Sequence, residues 1–147
     1  MMLASSATSS DTCQWLIDSG ASNHYTSRLE DLIDFTPIKP IGIMTGKGYI
    51  AARGIGHVRV LLKAGLVLIT HVMWVPELKG FANLLSVPQL TENGFKIAIE
   101  RDVCEISYRL SVYATGHIDN RAFYLDVLSS TENLAKPPLN DLPLLGL

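Results

Sequence analysis

The stretch Trp15-Leu16-Ile17-Asp18-Ser19-Gly20-Ala21-Ser22 decides how the chain is read. The apolar run from Cys13 to Ile17 fits a short buried strand, and it stops abruptly at an acid, a small hydroxyl residue and a glycine. Asp, Ser and Gly also build ordinary turns, so these three letters alone leave a plain turn open.

The other reading gives each position a task. A carboxylate at the base of a cleft, close to a second one, cannot ionise independently of it, so the two share a proton. One then activates a water as general base while its partner protonates a carbonyl oxygen, and the couple titrates as a unit. In such a loop Ser19 turns inward to a mirrored loop. Gly20 clears space for backbone N–H groups to approach the carboxylate, and Ala21 and Ser22 keep the floor shallow.

Outward from this segment the signals are mostly β. Ile38 to Thr45, Tyr49 to Arg53 and Gly56 to Lys63 read as strands separated by glycines at 46, 48, 54 and 56. His57 to Leu61 alternates in polarity as a half-buried strand does. Leu66 to Val75 is a longer apolar run closed by Pro76, and Phe95 to Ile99, Val103 to Tyr108 and Phe123 to Leu128 are further strand candidates. One helix is expected from Ser86, where Ser86-Val87-Pro88-Gln89 fits a capping box with Gln89 reaching back, Pro88 suits a first turn, and Asn93-Gly94 supplies the stop. Arg28 to Ile33 carries a weaker helical turn. Many short strands with one short helix make an all-β barrel or sandwich.

Composition sets the limits. The chain has 147 residues, 48% hydrophobic and 18% charged, which favours one compact domain with a real core. The net charge is −2 and no more than two Lys or Arg are adjacent, so direct nucleic-acid binding is not expected. Cys13 and Cys104 read as reduced thiols, and the scattered His24, His57, His71 and His117 lack the spacing of a zinc site, so no metal or cofactor is assigned. The opening residues do not make a signal peptide, and Ala64 to Val75 is too short to span a bilayer, so no membrane partner is expected. Residues 1–12 read as a flexible leader. The Pro-rich end reads as an extended tail.

Three segments in order resemble the protease region of copia-type (Ty1/copia) long-terminal-repeat retrotransposon Gag-Pol polyproteins. Trp15-Leu16-Ile17-Asp18-Ser19-Gly20-Ala21-Ser22-Asn23-His24-Tyr25-Thr26 is similar to that family's Trp-x-x-Asp-Ser-Gly-Ala-Ser/Thr-x-His-x-Thr. Gly46-Lys47-Gly48, followed by Gly54-Ile55-Gly56-His57-Val58, resembles its flap hairpin and returning strand. Val72-Met73-Trp74-Val75-Pro76-Glu77-Leu78 with Asn83-Leu84-Leu85-Ser86-Val87-Pro88-Gln89-Leu90 and Gly94-Phe95 resembles its Val-Leu-Tyr-Val-Pro-x-Leu … Asn-Leu-Leu-Ser-Val-x-Gln-Leu … Gly-Tyr.

The resemblance implies a closed retropepsin-like acid-protease β-barrel over 13–128, half of a two-fold dimer. Residues 129–147 then form a tail at the start of a truncated gag-pre-integrase region. It implies Asp18 as the catalytic residue, Ser19, Gly20, Ala21 and Ser22 as loop support, and Gly46, Lys47 and Gly48 as a flap over a peptide.

The expected activity is an aspartic endopeptidase that processes the Gag-Pol polyprotein, its partners being a second copy and extended peptide segments of that polyprotein. The expected location is the cytoplasm, including virus-like particles. One Asp-Ser-Gly per chain supplies one carboxylate, so activity requires a homodimer. The competing reading is a non-catalytic remnant or peptide-binding module. His24 is expected to be a structural hydrogen-bonding residue, His71 a satisfied strand residue, Trp15 and Trp74 core aromatics, and Glu30, Asp31 and Asp34 a solvated acidic patch.

Overall fold

The computed structural model describes residues 14–46, 48–128 and 143–145. The leader and most of the expected tail lie outside these residues, as do Cys13 and Lys47.

Strand β1 (Trp15–Asp18) pairs in parallel with β6 (Asn83–Ser86), Trp15 opposite Asn83 and Asp18 opposite Ser86. Successive side chains on a strand face opposite ways, and here both faces are covered. Trp15 and Leu85 enter one apolar cluster, and Leu16 and Leu84 enter a second. Strands buried on both faces have no polar side to present, so Trp15-Leu16-Ile17 and Leu84-Leu85 are continuous apolar runs.

The remaining strands extend from this pair. The short β2 (His24–Thr26) lies between β6 and β5 (Gly65–Trp74), and β5 pairs with β4 (Gly48–Leu62), which pairs with β3 (Ile33–Thr45). On the other side of β1 lie β10 (Ala122–Leu125), β9 (Ser111–Asp119), β8 (Val103–Tyr108) and β7 (Lys96–Glu100). The one helix, α1 (Val87–Glu92), follows β6 directly. The expected all-β fold with one short helix is therefore present. The sheet is not closed into a barrel, because the path runs from β3 to β7 and these end strands do not pair with each other.

Three strand expectations are corrected. Ile38 to Thr45 starts five residues earlier, at Ile33, and Tyr49 to Arg53 and Gly56 to Lys63 fuse into one strand, β4. Gly54 and Gly56 lie inside β4 rather than between strands. A Cβ on Gly54 would stand 2.1 Å from the Phe35 ring, so the missing side chain makes room for that aromatic, which meets Trp74 edge-on at 5.8 Å. From Ala52 to Leu62 the burial alternates with period two, as His57 to Leu61 led one to expect.

The weaker helical turn is a single 3-10 turn, Leu29–Asp31, where Arg28 pairs with Asp31 at 2.7 Å and with Glu30 at 3.5 Å. His71 lies in strand β5 as expected, its backbone N–H donating to His57 Nδ1 at 3.3 Å, but its side chain is exposed. Between Gly56–Val72 and Val58–Ile69 strand β5 has one residue more than β4, and at this bulge His71 takes φ +56° and is exposed. Trp15 is a core residue, whereas Trp74 is half-buried and its indole N–H donates to the Ser27 carbonyl at 3.2 Å.

The chain's end also departs from the tail expectation. Leu144–Leu145 form β11, parallel to β5, and the Leu68 N–H donates to the Pro143 carbonyl at 2.8 Å. Leu145 is fully buried in the first cluster. Leu145→Ala is therefore expected to cost about 2–5 kcal/mol in urea unfolding; a loss below about 0.5 kcal/mol, the range of an ordinary surface change, would mean that this end is not part of the core.

Candidate functional site

Strand β1 delivers Asp18 to its own end, half-buried, where the chain turns through the exposed Ser19 and Gly20. The Gly20 N–H donates to Asp18 Oδ1 at 2.8 Å, and a Cβ on Gly20 would stand 3.3 Å from that same oxygen. Glycine thus gives the carboxylate a backbone donor at close range without crowding it. Ala21 is buried, and Ser22 is exposed with its hydroxyl 3.1 Å from that of Tyr25.

The turn is fastened from below. Ser86 Oγ donates to the Ala21 carbonyl at 2.6 Å and accepts from the Gln89 N–H at 3.0 Å, so one hydroxyl caps α1 and holds the turn. The rest of the expected capping box is different. The Ser86 N–H donates to His24 Nδ1 at 2.8 Å, not to Gln89. The Gln89 side chain is used elsewhere: its Oε1 accepts from the His24 N–H at 2.9 Å, and its Nε2 donates to the His71 carbonyl at 3.2 Å. Thr26 Oγ1 adds a buried bond to Asn83 Oδ1 at 2.7 Å. Strands β2, β5 and β6 and helix α1 are thereby joined by polar side chains beneath the Asp18 turn.

His24 is fully buried, and its pKa is lowered from 6.5 to about 3, first by burial and second by nearby His71. An imidazole that accepts at Nδ1 carries its proton on Nε2. That nitrogen has no hydrogen-bond partner among the described residues.

Above the turn lies a cleft of about 510 Å³. Its floor is Asp18, Gly20, Ala21, Tyr25 and Leu84, and the hairpin of β3 and β4 lines the opposite side through Ile41, Ile43, Met44, Gly46 and Ile50. The two strands pair up to Thr45 opposite Gly48, and Gly48 has φ +123°, a conformation that glycine adopts at no steric cost. Asp18 and the expected flap glycine Gly46 therefore face one space. Lys47 lies outside the described residues. Met44 and Tyr49 are largely exposed on the hairpin. Asp18 is the one carboxylate among the described residues that line the cleft.

The Asp18 turn and the hairpin glycines were expected from local sequence. His24 is the structural hydrogen-bonding residue expected, but its partners, and with them the role of Gln89, depend on contacts across more than sixty residues.

Residues 15–95, more than half of the chain, match the family model described as the Pol polyprotein beta-barrel domain. No curated protein and no solved structure matches.

The buried histidine has a consequence for stability. The folded chain resists protonation of His24 down to about pH 3, whereas the unfolded chain accepts that proton near pH 6.5. The contribution is complete above pH 6.5 and is lost as pH falls toward 3, by on the order of 4 kcal/mol over the whole window. In urea unfolding across this range, wild type should lose stability relative to His24→Asn, which cannot titrate. Parallel curves would show that His24 titrates alike in both states.

Proposed function

Because the chain belongs to the Pol polyprotein beta-barrel domain family, we propose that it is the aspartic endopeptidase of a copia-type retrotransposon, processing the Gag-Pol polyprotein as a homodimer. The observation that supports this reading most is the shared cleft, with the Asp18 carboxylate on its floor and the Gly46 hairpin across from it. A peptide in extended conformation lies between the two and bonds through its backbone to the hairpin.

Each subunit brings one Asp18, and the two carboxyl groups share a proton. The ionised one takes a proton from water as the water oxygen attacks the scissile carbonyl carbon. The protonated one gives its proton to the carbonyl oxygen. Collapse of the tetrahedral intermediate breaks the C–N bond: one carboxyl group gives its proton to the leaving amine while the other takes a hydroxyl proton from the intermediate, which restores the shared proton. The Gly20 N–H donates to Oδ1 and so holds the carboxyl group in place at the cleft floor. This chemistry belongs to the cytoplasm and to virus-like particles, where the polyprotein is the substrate.

A second reading, a peptide-binding module without catalysis, is favoured by the single carboxylate in the cleft. One preparation separates the two. The full chain at micromolar concentration should sediment as a dimer and cut an extended peptide copied from its own polyprotein at mildly acidic pH. Asp18→Asn should stay folded and lose about a hundredfold or more of that turnover. Equal turnover in wild type and Asp18→Asn would leave only the binding module.

A further inference from the structure

We propose that His24 is a positioning residue for the Asp18 turn, holding through Nδ1 the Ser86 backbone whose hydroxyl fixes Ala21 behind the carboxylate. Its relevance to turnover rests on the proposed protease activity; its effect on the turn does not.

The geometry is a chain of three bonds. His24 Nδ1 accepts from the Ser86 N–H at 2.8 Å, Ser86 Oγ donates to the Ala21 carbonyl at 2.6 Å, and Ala21 follows Gly20, whose N–H reaches Asp18 Oδ1 at 2.8 Å. In register, Ser86 lies opposite Asp18 itself. A first-turn N–H of this kind has no partner within its own helix, and the Gln89 side chain that could have supplied one is occupied with His24 N–H and the carbonyls of β5. His24 therefore supplies the acceptor that the sequence pattern assigns to Gln89.

Packing alone does not account for an imidazole at this position. His24 is fully buried, and its Nε2 has no partner among the described residues. Burying such a group is unfavourable, and an apolar side chain would fill the space without that cost. What an apolar side chain cannot provide is the acceptor at the δ position. Asparagine can, because its Oδ1 lies as many bonds from the backbone as Nδ1 of histidine does. Glutamine places its amide one bond farther out.

The test uses the full chain and three substitutions, His24→Asn, His24→Gln and His24→Leu. In wild type, nitrogen-15 NMR of the imidazole should show His24 with Nδ1 unprotonated and Nε2 protonated. A proton on Nδ1 would overturn the proposal. Loss of the acceptor in His24→Leu should speed hydrogen exchange at the Ser86 and Gly20 amides by about tenfold or more, with peptide turnover reduced in kcat rather than KM. His24→Asn should restore both.

Should His24→Leu fail to fold, the contrast between Asn and Gln carries the same comparison. Wild-type exchange at Ser86 and Gly20 in a variant without a δ acceptor, or an Asn variant no better than Gln, would overturn the proposal. A wild type that cuts no peptide but shows the expected exchange pattern supports the positioning role and refutes the protease reading instead.

Discussion

The parallel pairing of β1 with β6, apolar on both faces, is the constraint from which the site follows. Because Trp15 and Leu85 point into one cluster and Leu16 and Leu84 into the other, neither strand can shift by one residue without turning both sets around. That register puts Asp18 opposite Ser86. The acid then emerges where apolar burial ends, and the serine that begins α1 is close enough to fasten the turn. The location of the carboxylate is thus set by hydrophobic packing, and its local environment by hydrogen bonds.

The hairpin depends on a different balance. β3 and β4 are long strands, and much of β3 is exposed, so little of the pair is held by core burial near the tip. Its anchorage lies lower down, where Phe35 fills the space above Gly54 and meets Trp74. A segment with few buried contacts near its tip opens at low cost. The exposed Met44 and Tyr49 and the partly buried Ile43 and Ile50 give that segment apolar side chains to present to a ligand.

Much of this was legible in the sequence, and what was not has identifiable causes. The Asp18 turn, the hairpin glycines and the Ser86 cap are local features, written in consecutive residues. The long-range partners were not readable in that way. Glycine in a strand and glycine between strands look alike until the residues that cover it are known, here Phe35 at Gly54 and Leu32 at Gly56. Gln89 fits the capping pattern, yet a buried His24 brought in from β2 takes its place. His71 sits in an apolar run, but at the bulge in β5 its side chain is exposed. Leu144 and Leu145 follow a proline-rich stretch and read as part of a tail, although the short β2 covers only Val72 to Trp74 of β5 and they pair with Leu68 and Ile69. Closure of the sheet was implied by the family resemblance and depends on the pairing of its two end strands, which no local signal encodes.

The proposed activity requires one Asp18 per chain to become a catalytic couple by self-association. The most direct measurement is specific peptide-cleavage rate across a dilution series of the full chain. For a homodimeric protease the rate per subunit should fall on dilution and rise to a plateau as the dimer fills. A rate per subunit that is independent of concentration from nanomolar to micromolar, in protein that sediments as a monomer, would contradict it.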